Sequence, residues 1–192
     1  MKLLEANQEN PVANIRAVGK GFHAKSMTSD KAGGLLPVVY ICKGAKVMLT
    51  ANLCVPYVGL NGSMGRIEEI TYNTGDSPKT SLPKVVIVEF PNYTGPSCIN
   101  NYSKLVPIVP VERRLDCHCH GCSHKTVSLR LGWATTTQLC QGRAIGEGEP
   151  NRYIVIHPGT WSVEWRNPGA LFVALSKAKC SGHDTYGIYL FW

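Results

Sequence analysis

Nowhere in the 192 residues does an apolar run approach the roughly 20 residues that a membrane-spanning helix needs. The N-terminal stretch MKLLEANQENPVANIR has acidic residues and no apolar segment of secretory length, so it does not read as an export signal. Without export, the eight cysteines are expected as reduced thiols in an intracellular setting, nuclear or cytoplasmic. No internal repeat and no long low-complexity tract is present. A phosphate-cradling loop of the GxxxxGK[ST] kind is missing too. AVGKGF supplies Gly19-Lys20, but Gly21 follows, and Asn14 stands where the first glycine belongs. No acidic pair follows an apolar strand to hold magnesium, and neither a GxSxG elbow nor a dinucleotide fingerprint occurs. Taken alone, the chain lacks the parts that bind a triphosphate.

Acids are the scarcer charge: 13 Asp+Glu against 20 Lys+Arg, a formal net charge of +7. That balance suits a polyanionic partner without requiring one. The 44% hydrophobic content allows a core for one domain, or for one domain with a smaller one inserted.

Residues 1–20 are expected to form a helix with Leu3, Leu4, Ile15 and Val18 as apolar points, interrupted or reopened at Pro11. KGFHAKSMTSDKAGG reads as an exposed loop. From Leu35 the texture becomes short strands: LPVVYIC and AKVMLTANL joined by Lys43-Gly44, then GLNGSMGRIEEITYN with its Asn61-Gly62 turn, then PKVVIVEF. KLVPIVPV is a further extended segment, kept at an edge by Pro107 and Pro110. Five strands in residues 36–110 suggest a small β-barrel. Beyond it, TVSLRL, RYIVIHP and TYGIYLFW read as strands. GWATTTQLCQG reads as a turn and short helix, and NPGALFVALSKA as a helix capped by Asn167 with Pro168 at its first position. The expected fold class is therefore α/β with an inserted small all-β barrel. The expected divisions are 1–35, 36–110 for the barrel, a Cys/His-rich linker at 111–127, and 128–192.

CHCHGCSH places six thiol or imidazole residues within eight. Cys119 and Cys122 have the spacing of a zinc-binding pair, and Cys117, Cys119, Cys122 and His124 form a candidate ligand set. The alternative is a surface loop with no metal. Cys42, Cys54, Cys98, Cys140 and Cys180 lie in or beside apolar runs and read as small core residues.

Several segments, in order, resemble a known family. KGAKVMLTANLCVPYVGLNGSMGRIEEI (43–70), VVIVEFPNYTGPS (85–97), VPIVP (106–110), SLRLGWATTTQLCQG (128–142) and GALFVALSKAKC (169–180) resemble the C-terminal half of the petite-integration-frequency DNA helicases, particularly the copies carried by Helitron transposons. The resemblance covers most of the chain from about residue 35 onward. It implies a superfamily-one, 5′ to 3′ DNA helicase kinship, with uses in repair, recombination and telomere maintenance. It also implies part of a second RecA-like domain interrupted by a barrel of the Src-homology-three kind. The first RecA-like domain, which binds ATP and magnesium in the intact family, has no counterpart here, so neither is expected to bind this chain alone.

The family's fifth motif, Ala-x-Thr-x-His-Lys-x-Gln-Gly-x-Thr, is matched by Ala134, Thr136, Gln141 and Gly142. Gln138, Leu139 and Ala144 replace its His, Lys and last Thr. The resemblance places Thr136 and Gln138 near DNA, and Gln141 and Gly142 near nucleotide. An ordinary strand-to-helix turn would explain the threonines equally. The sixth motif is matched by Phe172, Val173, Ala174, Leu175 and Ser176, with Lys177 at the arginine-finger position. Lysine keeps the charge but lacks the planar fork. Arg130 falls where the family tends to carry arginine.

The expectation is thus a truncated, degenerate helicase fragment with no ATPase of its own and residual single-stranded DNA binding. Lys43, Lys46, Arg66, Lys84 and Lys104 would supply charge, and Tyr57, Tyr72 and Tyr93 stacking faces. A solvated surface is the plain alternative for each lysine. Trp133, Trp161, Trp165 and Trp192 read as core or edge packing. A protein supplying the missing first domain is an expected partner. Two competing readings are a partial product of a full helicase gene and a protein–protein adaptor barrel.

Overall fold

The computed structural model describes residues 11–21, 32–51, 62–76, 81–99, 102–115, 121–134, 136, 145–146, 154–157, 166–179 and 188–190. The chain divides into two compact units, Met1–Ala134 and Thr135–Trp192.

In the first unit residues 13–20 are extended, against the expected helix over 1–20, whose first ten residues lie outside the described residues. Strand β1 covers Ala13–Arg16 and β2 covers Val18–Lys20. The reason is visible in burial: Ala13 and Ile15 are buried while Arg16 is exposed. That is a period of two, the strand repeat. The following segment is not wholly an exposed loop either, since Ala32 is buried.

Five strands occupy the region expected for the barrel: β3 (Val38–Ile41), β4 (Lys46–Leu49), β5 (Met64–Thr71), β6 (Val85–Glu89) and β7 (Leu105–Ile108). Their pairing departs from a self-contained module. Strand β3 pairs antiparallel with β1. Strands β4 to β7 are joined at the β4 edge by β10 (Leu129–Leu131), giving the order β10-β4-β5-β6-β7. The Lys43-Gly44 turn therefore links two strands that do not pair with each other. Gly44, at φ 78°, donates its N–H to Ile67 O across to β5 instead. Pro107 lies on the edge strand β7, where its missing N–H costs no ladder bond.

The inner face of this sheet carries the core. Val39, Ile41, Val47, Leu49, Ile67, Val86, Val88, Phe90, Ile108 and Leu129 form one buried cluster with Ala13 and Ile15. Gly65 is there for lack of room: a Cβ would come within 2.7 Å of Glu89 O and 2.6 Å of Val88 Cγ1.

Both ends of the expected Cys/His-rich linker, 111–127, are strands of a hairpin. Strand β8 (Val111–Arg114) pairs antiparallel with β9 (Ser123–Thr126), and β2 completes a three-stranded sheet ordered β2-β9-β8. The expected strand over residues 126–131 is two strands, because the chain passes from β9 to β10 through Val127 and Ser128. Of the cysteines assigned to a core, Cys42 is buried but Cys98 is exposed. Cys54, Cys140 and Cys180 lie outside the described residues.

In the second unit, β11 (Ile145–Gly146) pairs in parallel with β13 (Ala178–Lys179), and β12 (Ile154–Ile156) in parallel with β14 (Ile188–Leu190). Parallel pairing is the pattern of an α/β sheet. The helix α1 covers Ala170–Leu175. Its cap is Gly169, at φ 85°, with no side-chain hydrogen bond, rather than Asn167. Asn167 contributes only its carbonyl, which accepts from Ala170 N–H. A left-handed residue at this position favours glycine.

Candidate nucleic-acid interface

The outer face of the five-stranded sheet gathers the cations that the sequence spreads along the chain. Lys46 on β4 stands opposite Arg66 on β5, and Met48 opposite Met64. Arg130 on β10 stands opposite Met48. Residues paired across antiparallel strands share a face, and Val47 and Leu49 take the opposite one in the core. Lys46, Arg66 and Arg130 therefore share one face of the sheet, on which Arg66 is exposed, Lys46 and Arg130 are half-buried and Met48 between them is buried. Arg66 is exposed, and its Nε donates to Gly44 O at 3.2 Å. That contact ties Arg66 to the turn carrying exposed Lys43. The acid nearest in register is Glu89, opposite Arg66 on β6.

The strand end beside this patch is tightly placed. Gly132 N–H donates to Lys46 O at 2.8 Å. A Cβ on Gly132 would meet Met64 Cε at 2.6 Å and the Val47 carbonyl carbon at 3.2 Å, so this position admits glycine alone without adjustment. The next residue, Trp133, is 71% exposed. Lys46 Nζ lies over its ring, 5.8 Å from the centroid, within cation–π range. Of the expected core or edge packing of Trp133, the core alternative is thus corrected, and the residue lies just beyond the end of the edge strand β10. Its sequence signal was the adjacent Gly132 at a strand end, which stops β10 and leaves the indole beyond the sheet.

The tyrosines named as stacking faces are placed differently. Tyr93 is half-buried against the main core, and its hydroxyl donates to Pro96 O at 3.1 Å. Tyr72 is half-buried too; burial pushes its phenol up and its hydroxyl has no hydrogen-bond partner. Lys84 and Lys104 are exposed, but Lys84 precedes β6 and Lys104 precedes β7. Tyr57 lies outside the described residues.

Of the fifth-motif residues, Thr136 is exposed and Gln138, Gln141 and Gly142 lie outside the described residues. Lys177 is the second residue after α1, half-buried, its N–H donating to Ala174 O at 3.2 Å. Ser176 Oγ donates back to Val173 O at 2.8 Å, closing the helix end. Within α1 only Ala174 is buried, and Phe172 is exposed, so the helix presents more apolar surface than a fully packed one would. The near-match to a phosphate loop is resolved structurally: Gly19 and Lys20 lie in β2, paired with His124 and Ser123. A paired strand of this kind is not the strand-to-helix loop that cradles a nucleotide phosphate.

Of the proposed zinc ligands, Cys122 and His124 are described, and Cys117 and Cys119 lie outside the described residues. Cys122 is buried against Ala32, Leu35 and Leu115. His124 is 3% exposed, and neither ring nitrogen has a hydrogen-bond partner. Among the described residues no three potential ligands converge on a metal position.

No protein-family model and no curated protein matches the chain. Solved structures do. A structure of two coordinating Pif1 helicases unwinding forked DNA matches 99% of this chain at a TM-score of 0.65 and 20% identity. Pif1 from Candida albicans matches 98% at 0.63 and 17%. Bacteroides Pif1 in complex with ADP-AlF3 and ssDNA matches 98% at 0.62 and 20%. The chain spans 35%, 40% and 36% of those three proteins' own lengths. Motif order and fold thus agree, and this chain has the fold of a segment of a Pif1 (petite-integration-frequency) helicase.

Proposed function

We propose that this chain is a helicase-derived segment that holds single-stranded DNA and turns over no ATP by itself. The observation that carries the reading is the fold likeness over 98% of the chain to a Pif1 helicase whose complex contains ssDNA and ADP-AlF3. The basic outer face of the sheet supports it, because a phosphate backbone is recognised first by clustered cations. In the intact family ATP and magnesium would be held by the first RecA-like domain, outside the segment that this chain matches, and turnover would need a phosphate loop supplied from there or by a partner. Lys177 would then approach the nucleotide as a cation, without the two-pronged geometry that gives an arginine finger about a thousandfold or more in rate.

Oligonucleotide binding across a salt titration tests the reading. Affinity that falls steeply with salt supports it, and absence of binding at low salt removes it. The adaptor reading gains nothing from Tyr93 or Tyr72, both half-buried.

A further inference from the structure

We infer that Trp133, braced by Lys46, is a base-stacking platform that gives this surface its preference for single strands. The inference rests on the DNA-binding reading and deepens it. A lone exposed aromatic is common and proves little. Here three further observations accompany it. The Lys46 ammonium engages the ring at 5.8 Å, which restrains the indole while it stays 71% exposed. Gly132 is held to Lys46 O and packed against Val47 and Met64, so the backbone entering Trp133 is anchored on the sheet. Lys43, Arg66 and Arg130 lie on the turn and strands beside it, giving the charge that a phosphate chain requires.

The chemistry favours one occupant. A duplex hides the faces of its bases, whereas a single strand offers one per nucleotide. Stacking on an indole is sequence-tolerant because every base has a π-face. The cations would track the backbone while the indole takes a base, so charge and stacking contribute separately.

That separation sets the experiment, done on the whole 192-residue chain. Anisotropy titrations use an oligothymidylate, an abasic oligomer of equal length, and a duplex, at about 50 and 200 mM salt. Trp133→Ala is expected to weaken oligothymidylate binding about tenfold while sparing the abasic oligomer and the salt slope. Trp133→Phe should recover most of the loss. Lys43→Gln with Arg66→Gln should instead lower the salt slope by about 1.4 on both oligomers. The inference is overturned if Trp133→Ala binds oligothymidylate as tightly as the parent, or loses equally on the abasic oligomer. It is also overturned if the parent binds duplex as well as single strand. A parent that binds no oligomer at low salt overturns the DNA-binding reading itself.

Discussion

Lys46 Nζ stands 5.8 Å from the centre of the Trp133 ring, joining the first residue of β4 to the second residue beyond β10. The same lysine's carbonyl accepts from Gly132 N–H. Backbone and side chain therefore fasten one strand end twice. Gly132→Ala tests the fastening. The added methyl meets Met64 Cε, which can move, and the Val47 backbone, which cannot do so cheaply. A loss of about 1–3 kcal/mol in urea unfolding is expected, with an altered Trp133 emission.

Leu129 is fully buried although it lies more than seventy residues beyond β4 in the chain. Leu129→Ala should cost about 2–5 kcal/mol, the range for a core cavity. Val155→Ala, at an exposed strand position, should stay within about 0.5 kcal/mol of the parent. Equal costs for the two would contradict the core assignment.

Much of this sheet was legible in sequence. The strands β4, β5, β6 and β7 follow runs of Val, Ile and Leu broken by turn residues, and the edge position of β7 follows from Pro107. Pairing was not legible. Nothing in VVYI says that its partner is ANIR rather than the neighbouring KVML, because partner choice depends on distant backbone and shared core volume. Ile15 and Val18 lie three apart and suggested a helix. Only the burial of Ala13 beside Ile15 reveals the strand repeat. For Trp133 the core alternative fails for a similar reason: hydrophobicity predicts burial on average, while the end of the edge strand β10 decides it here.

Glu112 on β8 and Ser123 on β9 are diagonal neighbours, with Lys125 directly opposite Glu112 and Arg114 opposite Ser123. Ser123 Oγ donates to the Glu112 carboxylate, and with Lys20 nearby holds it below the usual carboxylate range. A lowered folded pKa means a contact present at neutral pH and lost as pH falls through the lowered value. Ser123→Ala should move the Glu112 titration upward, toward the ordinary range, in a carboxylate NMR titration. An unmoved titration would refute the role given to the hydroxyl.

ATP hydrolysis by the isolated chain should equal the buffer blank, with or without single-stranded DNA. Lys177→Ala should change nothing in that assay. Hydrolysis that disappears in Lys177→Ala would overturn the account of the missing phosphate site.

Zinc content separates a metal centre from a packed hairpin. Four ligands make a structural site, and the described residues supply Cys122 and His124. Purified protein is expected to carry less than about half an equivalent of zinc, measured by atomic emission. A full equivalent, lost in Cys122→Ser, would establish the metal.

The five-stranded sheet has a temporal consequence. During synthesis Lys46–Leu49 leaves the ribosome long before Leu129–Leu131, the strand that covers its open edge. Until then the nascent chain carries an unpaired row of backbone amides and carbonyls, which other chains can template upon. Production should therefore depend on chaperone supply, and any nascent product released before Leu131 should go to inclusion bodies.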